Sequence, residues 1–256
     1  MSLTQNKVPT SELSNIKANL SPKPIGNDAA SYKIAQNTKG NTANDAIIPS
    51  GKFSDKELTE RMFPVIKDKE KPLDYIYIDT TWNKTTGAGA NVDDWNTFNK
   101  VNWEINGRSA TEEEKRATFD YFDKITSKGK QNVDEKGKLL EKNNKRADFY
   151  SNKSQLRISS NETDRLLRNH ITEDIKYLQK EFPDFASYPP ELQNVLLDIK
   201  FNTGNVSQEN WPKLRKAISE KNLFEKEGIL KNVHRKDVGA DRNYWAEQQI
   251  RNIKSW

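Results

Sequence analysis

Cysteine is absent from all 256 residues, which excludes disulfides, thiolate metal sites and a cysteine nucleophile. A chain without cysteine is at home in reducing and oxidising compartments alike. Histidine is almost absent too. His170 and His234 stand far apart, whereas a zinc hydrolase needs more ligands at closer spacing, so neither metal nor cofactor is expected. Long apolar runs are missing: no stretch approaches the roughly 18 residues of a membrane span, and no membrane insertion is expected. The opening MSLTQNKVPTSELSNIKANL lacks the apolar centre of a secretory leader, so the expectation is synthesis in the cytoplasm without a signal peptide. Charge of a single sign is missing as well. The 42 basic and 37 acidic residues are interspersed, with a net charge of +5. A nucleic-acid binder concentrates its basic residues on one face or tract, so nucleic acid is not an expected partner. Mild positive charge does favour residence on an anionic polymer.

With 33% hydrophobic residues and a mean hydropathy of -0.98, either the core is small or part of the chain does not fold. Residues 1–52 carry Pro9, Pro22, Pro24 and Pro49 and few aromatics. They read as a flexible N-terminal arm, suited to docking on delivery machinery. Residues 53–256 read as the folded domain. Ser54 and Glu57 form a capping-box pattern, followed by Leu58, Met62, Val65 and Ile66 at helical spacing. Pro64 predicts a kink or a late start. LDYIYI at 73–78 alternates as a strand, and 79–89 reads as a turn and a second short strand, so a small hairpin follows the helix. Thr111 with Glu114 opens a helix to about 128, and the polar stretch 128–155 reads as irregular and partly helical. Ser159 with Glu162 opens a helix of about 22 residues, roughly 33 Å long, ended by Pro183. LQNVLLDIKFN, from Leu192, is the most apolar run and the expected central helix, with further helices around 211–220, 223–232 and 241–252. The fold class is α+β and mainly helical.

One segment carries two carboxylates, a hydroxyl and a glycine pair at close spacing: Glu70, then Asp79, Thr85, Gly87 and Gly89. Glycoside cleavage needs one carboxyl group to protonate the leaving oxygen and another to activate water or attack the sugar. A helix end followed by a hairpin can bring both to one cleft. The helix C-terminus carries partial negative charge and disfavours a further one. Asp79 would act the same way, and both favour the protonated Glu70 that an acid requires. Lys67, Lys69 and Lys71 oppose this; if they point to solvent they are screened, and the first two effects should win. Thr85 could hold water beside Asp79, and the glycines would let backbone approach a sugar ring closely.

The pattern E-x8-D-x5-T-x-G-x-G after a short helix resembles the phage-type lysozymes, glycoside hydrolase family 24, the group of the T-even phage endolysin. Ile158–Leu167 is similar to the start of that family's interlobe helix. Leu196–Gly204 resembles its buried helix and the turn after it, and Trp211 through Trp245 its C-terminal helices. The resemblance implies a two-lobed lysozyme fold. A β-containing lobe would span about 73–158, the interlobe helix about 159–182, and a helical lobe about 183–256 with the helix 54–70. It implies a muramidase that cuts the β-1,4 bond between N-acetylmuramic acid and N-acetylglucosamine in peptidoglycan. Glu70 would be the general acid, Asp79 and Thr85 would place the water, and configuration would invert. Two positions depart from the family: Lys71 stands where Gly is common, and Ala90 where His is. The insertion at about 100–155 and the N-terminal arm look more like pesticin and secretion-system muramidase effectors.

The implied protein is a bacteriolytic toxin acting in a competitor's periplasm, with peptidoglycan strands as substrate and an immunity protein as partner. A phage endolysin, or a wall-binding component of a tail or secretion apparatus without turnover, are the rival expectations. Among secondary residues, Trp82 is expected to contact sugar, and Asn202 to face the cleft from the end of the central helix opposite Glu70. Trp103 is expected in the core. Arg242, Tyr244 and Trp245 are assigned to bundle packing and a helix start. His170 reads as a satisfied structural histidine and His234 as exposed.

Overall fold

Helix α1, Asp55–Glu70, begins where its cap predicts: Ser54 accepts from the Glu57 amide while the Glu57 carboxylate takes the Ser54 N–H. The structure, a computed structural model, describes residues 53–256, so the expected arm over 1–52 lies outside the described residues. Pro64 neither delays α1 nor ends it. It lies on the exposed side of the helix, where the Glu60 carbonyl it leaves unpaired can bind water. Leu58, Met62 and Ile66 bury the opposite side. The helix stops at Lys71, which adopts a left-handed conformation with φ 45° and ψ 68°. This is a position where glycine costs nothing and a residue with a Cβ costs about 1–2 kcal/mol. The reversal sends the chain straight into strand β1, Leu73–Ile78.

Strand β1 pairs antiparallel with β2, Lys84–Gly87, and β2 with β3, Ala90–Asn91. The register Tyr77↔Thr85 and Ile78↔Lys84 gives way to Leu73↔Gly87 through a bulge. Gly87 and Gly89 have φ values of 61° and 85°. A Cβ at Gly87 would meet only ordinary contacts and one at Gly89 nothing, so both glycines serve backbone conformation rather than room. Beyond them come α2 (Trp95–Asn99), β4 (Trp103–Ile105), β5 (Arg108–Ser109) and α3 (Glu112–Lys130), the last opened by the Thr111–Glu114 box. Strand β6, Arg157–Ile158, pairs with β4 and completes a second small sheet in the order β5-β4-β6. Between α3 and β6 the chain has one isolated bridge, Val133↔Leu139, and one 3-10 turn, Ala147–Tyr150.

Helix α4, Ser160–Glu181, runs the expected 22 residues from its Ser159 cap. Helix α5, Pro190–Thr203, is the buried central helix, and α6 (Pro212–Ser219), α7 (Ile229–Asn232) and α8 (Ala240–Arg251) follow. The helix expected over 223–232 is reduced to α7. Asn222 accepts from the Glu225 amide, and Gly228 caps the short helix, so 223–228 turn instead. No helix among the described residues is long and apolar enough to cross a membrane.

Two hydrophobic clusters organise these elements. One gathers α1, α5, the C-terminal helices and Leu167, Ile171, Ile175 and Leu178 of α4. The other gathers Ile76 and Ile78 with Phe98, Trp103, Phe119 and Phe122, and Leu166 of α4 packs against it. Trp103 is in the core, as expected, its indole N–H donating to the Phe98 carbonyl. Lys84 is an unforeseen member of this region. Its side chain is 1% exposed, and its ammonium group reaches Asp123 of α3 at 2.7 Å and lies over the Phe119 ring. A lysine in a turn-like segment reads as solvated. This one instead ties strand β2 to α3.

Candidate active site

Three chain segments meet around Glu70. The C-terminus of α1 supplies Glu70 and Lys71, the hairpin supplies Tyr77 and the backbone of Gly87–Gly89, and the end of α5 supplies Phe201 and Asn202. Together with His170 of α4 they line a cavity of about 390 Å³. Glu70, Gly87, Gly89 and Asn202, all singled out from the sequence, are thus brought together. Asp79, Thr85 and Trp82 do not line this cavity.

The Glu70 side chain is 23% exposed, and its Oε1 accepts from Arg242 Nη1 at 2.9 Å. The same guanidinium donates through Nε to Asp198 Oδ2 at 3.0 Å, and Lys69 donates to Asp198 Oδ1 at 2.9 Å. Lys69 also lies over the Trp245 ring, 3.1 Å from its centroid. The condition for screening is not met by Lys69, which turns inward onto a buried carboxylate. Arg242 is no mere packing residue either. It bridges the candidate acid and α5. Tyr244, assigned to the same packing, is exposed.

Asp79 closes the turn after β1. Its Oδ1 accepts from the Thr81 amide and hydroxyl and from the Asn83 amide, each at 2.8 Å, and Oδ2 accepts from Asn83 Nδ2 at 3.2 Å. An Asp at the start of a turn makes such bonds for purely local reasons, and here they also fix the direction of the carboxylate. Thr85 is 4% exposed and donates to the Asn83 carbonyl at 3.2 Å. As the cross-strand partner of Tyr77 it belongs to the same sheet face. Tyr77 links the two groups of residues: it lines the Glu70 cavity and pairs with Thr85. Burial, then the charges of Asp79 and Glu70, push its pKa up to about 12. Its hydroxyl therefore stays protonated throughout the physiological range.

His170 is the residue whose place the sequence misjudged. Its ring stacks on Phe201 at 4.4 Å and lines the cavity. Its Nε2 faces Asp174 Oδ2 at 3.6 Å, an oxygen without a hydrogen-bond partner. The other Asp174 oxygen takes Lys200 at 2.5 Å. Burial lowers the His170 pKa from its ordinary 6.5. Asp174 and Glu70 oppose the shift, and Lys200 adds to it. Between the lowered value and 6.5 the unfolded chain binds a proton at His170 that the folded chain does not. Folding stability should therefore fall as pH drops below 6.5 and level off below the lowered value. His170→Phe, which keeps an aromatic ring on Phe201, should flatten that part of the profile. Urea midpoints from pH 7.5 to 5 measure it, and equal slopes for both proteins would show that His170 carries none of the dependence.

No family model, curated protein or solved structure matches this chain.

Asn202 is on the cavity wall as anticipated, and its Oδ1 accepts from the buried Arg235 at 2.5 Å. That bond fixes the amide so that its NH2 is left free to donate. Trp82 has gone elsewhere, into a groove with α3. Arg242, His170 and Tyr77 were missed as site residues. An alternating strand pattern places Tyr77 on the Asp79 face and could have found it. Arg242 lies 172 positions from Glu70, and no local pattern announces such a pair.

Proposed function

We propose that this protein is a muramidase of two-lobed lysozyme architecture. It would hydrolyse the β-1,4 bond between N-acetylmuramic acid and N-acetylglucosamine in peptidoglycan. One observation carries the reading: Glu70 stands on a cavity walled jointly by a hairpin and the end of a buried helix, where two hydrophobic clusters share α4. In this reading the clusters are the two lobes and the cavity is part of the cleft between them. Glu70 gives its proton to the bridging oxygen as the C1–O bond breaks. Water, oriented by Asp79 and Thr85, attacks C1 from the opposite face and leaves its proton on Asp79. A sugar oxygen that takes the place of Arg242 at Glu70 leaves the guanidinium paired with Asp198, and Glu70, no longer facing a cation, takes from solvent the proton that it gives to the bridging oxygen. The Asn202 amide and the Tyr77 hydroxyl supply donors to the ring substituents.

The biological setting we infer is a toxin that acts on the wall of a competing bacterium and is countered by an immunity protein in its producer. That setting rests on the motif and the enlarged insertion. The chemistry is testable directly. Purified sacculi digested with the full chain should release muropeptides whose reducing ends are muramic acid, identified by mass spectrometry after borohydride reduction. Inversion predicts that the fresh reducing ends appear first as the α-anomer. Intact sacculi after long incubation, or reducing ends on N-acetylglucosamine, would overturn the assignment.

A further inference from the structure

Trp82 is held in a costly position. Its φ is 66°, in the left-handed region that bulky residues rarely enter, at about 1–2 kcal/mol. Two features keep it there. Its indole N–H donates to the Glu141 carbonyl at 2.9 Å, and its ring lies directly on Gly129 of α3, where a Cβ would come within 2.0 Å of the indole. What it borders is a groove of about 510 Å³, walled by Tyr121, Lys124, Ile125 and Lys128 of α3, with Asn132 and Glu141 completing the lining and leaving the two lysines in excess over one carboxylate. The four α3 positions form one stripe at helical spacing, about 10 Å long. Tyr121 is 44% exposed. The groove starts within a single turn of Asp79, because the Trp82 amide donates to the Asp79 carbonyl.

We propose that this groove holds peptidoglycan beyond the cleft, with the aromatic rings bearing on sugar faces and Lys124 and Lys128 receiving carboxylates of the peptide stems. Its chemistry fits that polymer. Sugar rings present C–H faces that pack on aromatic surfaces, and every repeat that bears a peptide adds negative charge for the two lysines. The inference rests on the wall polymer being the substrate, and it assigns to α3, the helix of the insertion, the work of holding the strand.

Co-sedimentation with purified sacculi tests it, using the full chain carrying Glu70→Gln so that the polymer survives the assay. Tyr121→Ala and the pair Lys124→Glu/Lys128→Glu alter exposed side chains and should leave the melting temperature in place. Each should weaken binding by about tenfold. The pair Lys213→Glu/Lys216→Glu, on α6, changes net charge equally and should leave binding unaltered. On soluble glycan strands freed of their peptides by an amidase, followed by binding in solution, the α3 charge reversal should cost less than on whole sacculi, because only the lactyl carboxylates remain, while Tyr121→Ala weakens binding as before. Undiminished binding of the α3 variants, or equal losses from the α6 pair, would overturn the groove. Sacculi that bind the wild type through the groove yet stay uncut would overturn the muramidase reading and leave the groove standing.

Discussion

Glu70→Gln should reduce muropeptide release by about 100-fold or more, the usual contribution of a positioned acid, with almost no change in folding stability. The two halves of this expectation come from different parts of the site. The amide cannot donate a carboxylic proton, so the leaving oxygen departs unassisted. Yet glutamine keeps the length and shape of the side chain, and the one partner it disturbs, Arg242, remains paired with Asp198. The side chain is also partly in water, which softens the loss of charge. Turnover by reducing-end release, set beside a thermal melt of the same preparation, separates the effects. Digestion at the wild-type rate would remove Glu70 from the mechanism. A collapse of the melting temperature would mean that the Arg242 contact is structural first.

Asp198→Ala should do the reverse and cost stability outright, on the order of 3–5 kcal/mol, the range for breaking a buried ion pair from one side. Asp198 is 4% exposed and neutralises both Lys69 and Arg242, which are themselves largely buried. It thereby joins α1 to α5 and α5 to α8. Removing it leaves two cations facing each other with only Glu70 between them. For a domain of this size the loss corresponds to a fall in melting temperature on the order of 10 °C. Combining Asp198→Leu with Lys69→Met should recover much of it, since a well-packed apolar pair often equals a buried ionic one. A melting temperature within a degree or two of wild type for Asp198→Ala would show that the network contributes little to folding.

The elements that could be read from the sequence are those written in local chemistry. The capping boxes at Ser54 and Thr111, the alternation of LDYIYI and the apolar run of α5 each act over a few residues, and each appears where expected. Glu70 and Asn202 reach one cavity because both end helices that pack into the same cluster. What stayed hidden depends on partners far along the chain. Lys84 becomes a buried tie because α3 brings Asp123 to it, beside the nearer-in-sequence Asp93. Lys69 turns inward only because α5 presents Asp198. His170 looked like a core residue because its helix neighbours Leu167 and Ile171 are, yet its own ring emerges at the cavity wall. Periodicity tells which side of a helix is buried, not where the buried surface gives way to a cleft.

Helix α4 serves both clusters with adjacent residues: Leu167 is buried in one, and Leu166 packs against the other. Its N-terminal turn is fastened as well, by Glu162 accepting from the backbone and side chain of Asn102. Neither cluster can melt without baring a face of the helix that the other needs. The hairpin and the bundle should therefore unfold together, as one transition seen alike by probes placed in either half.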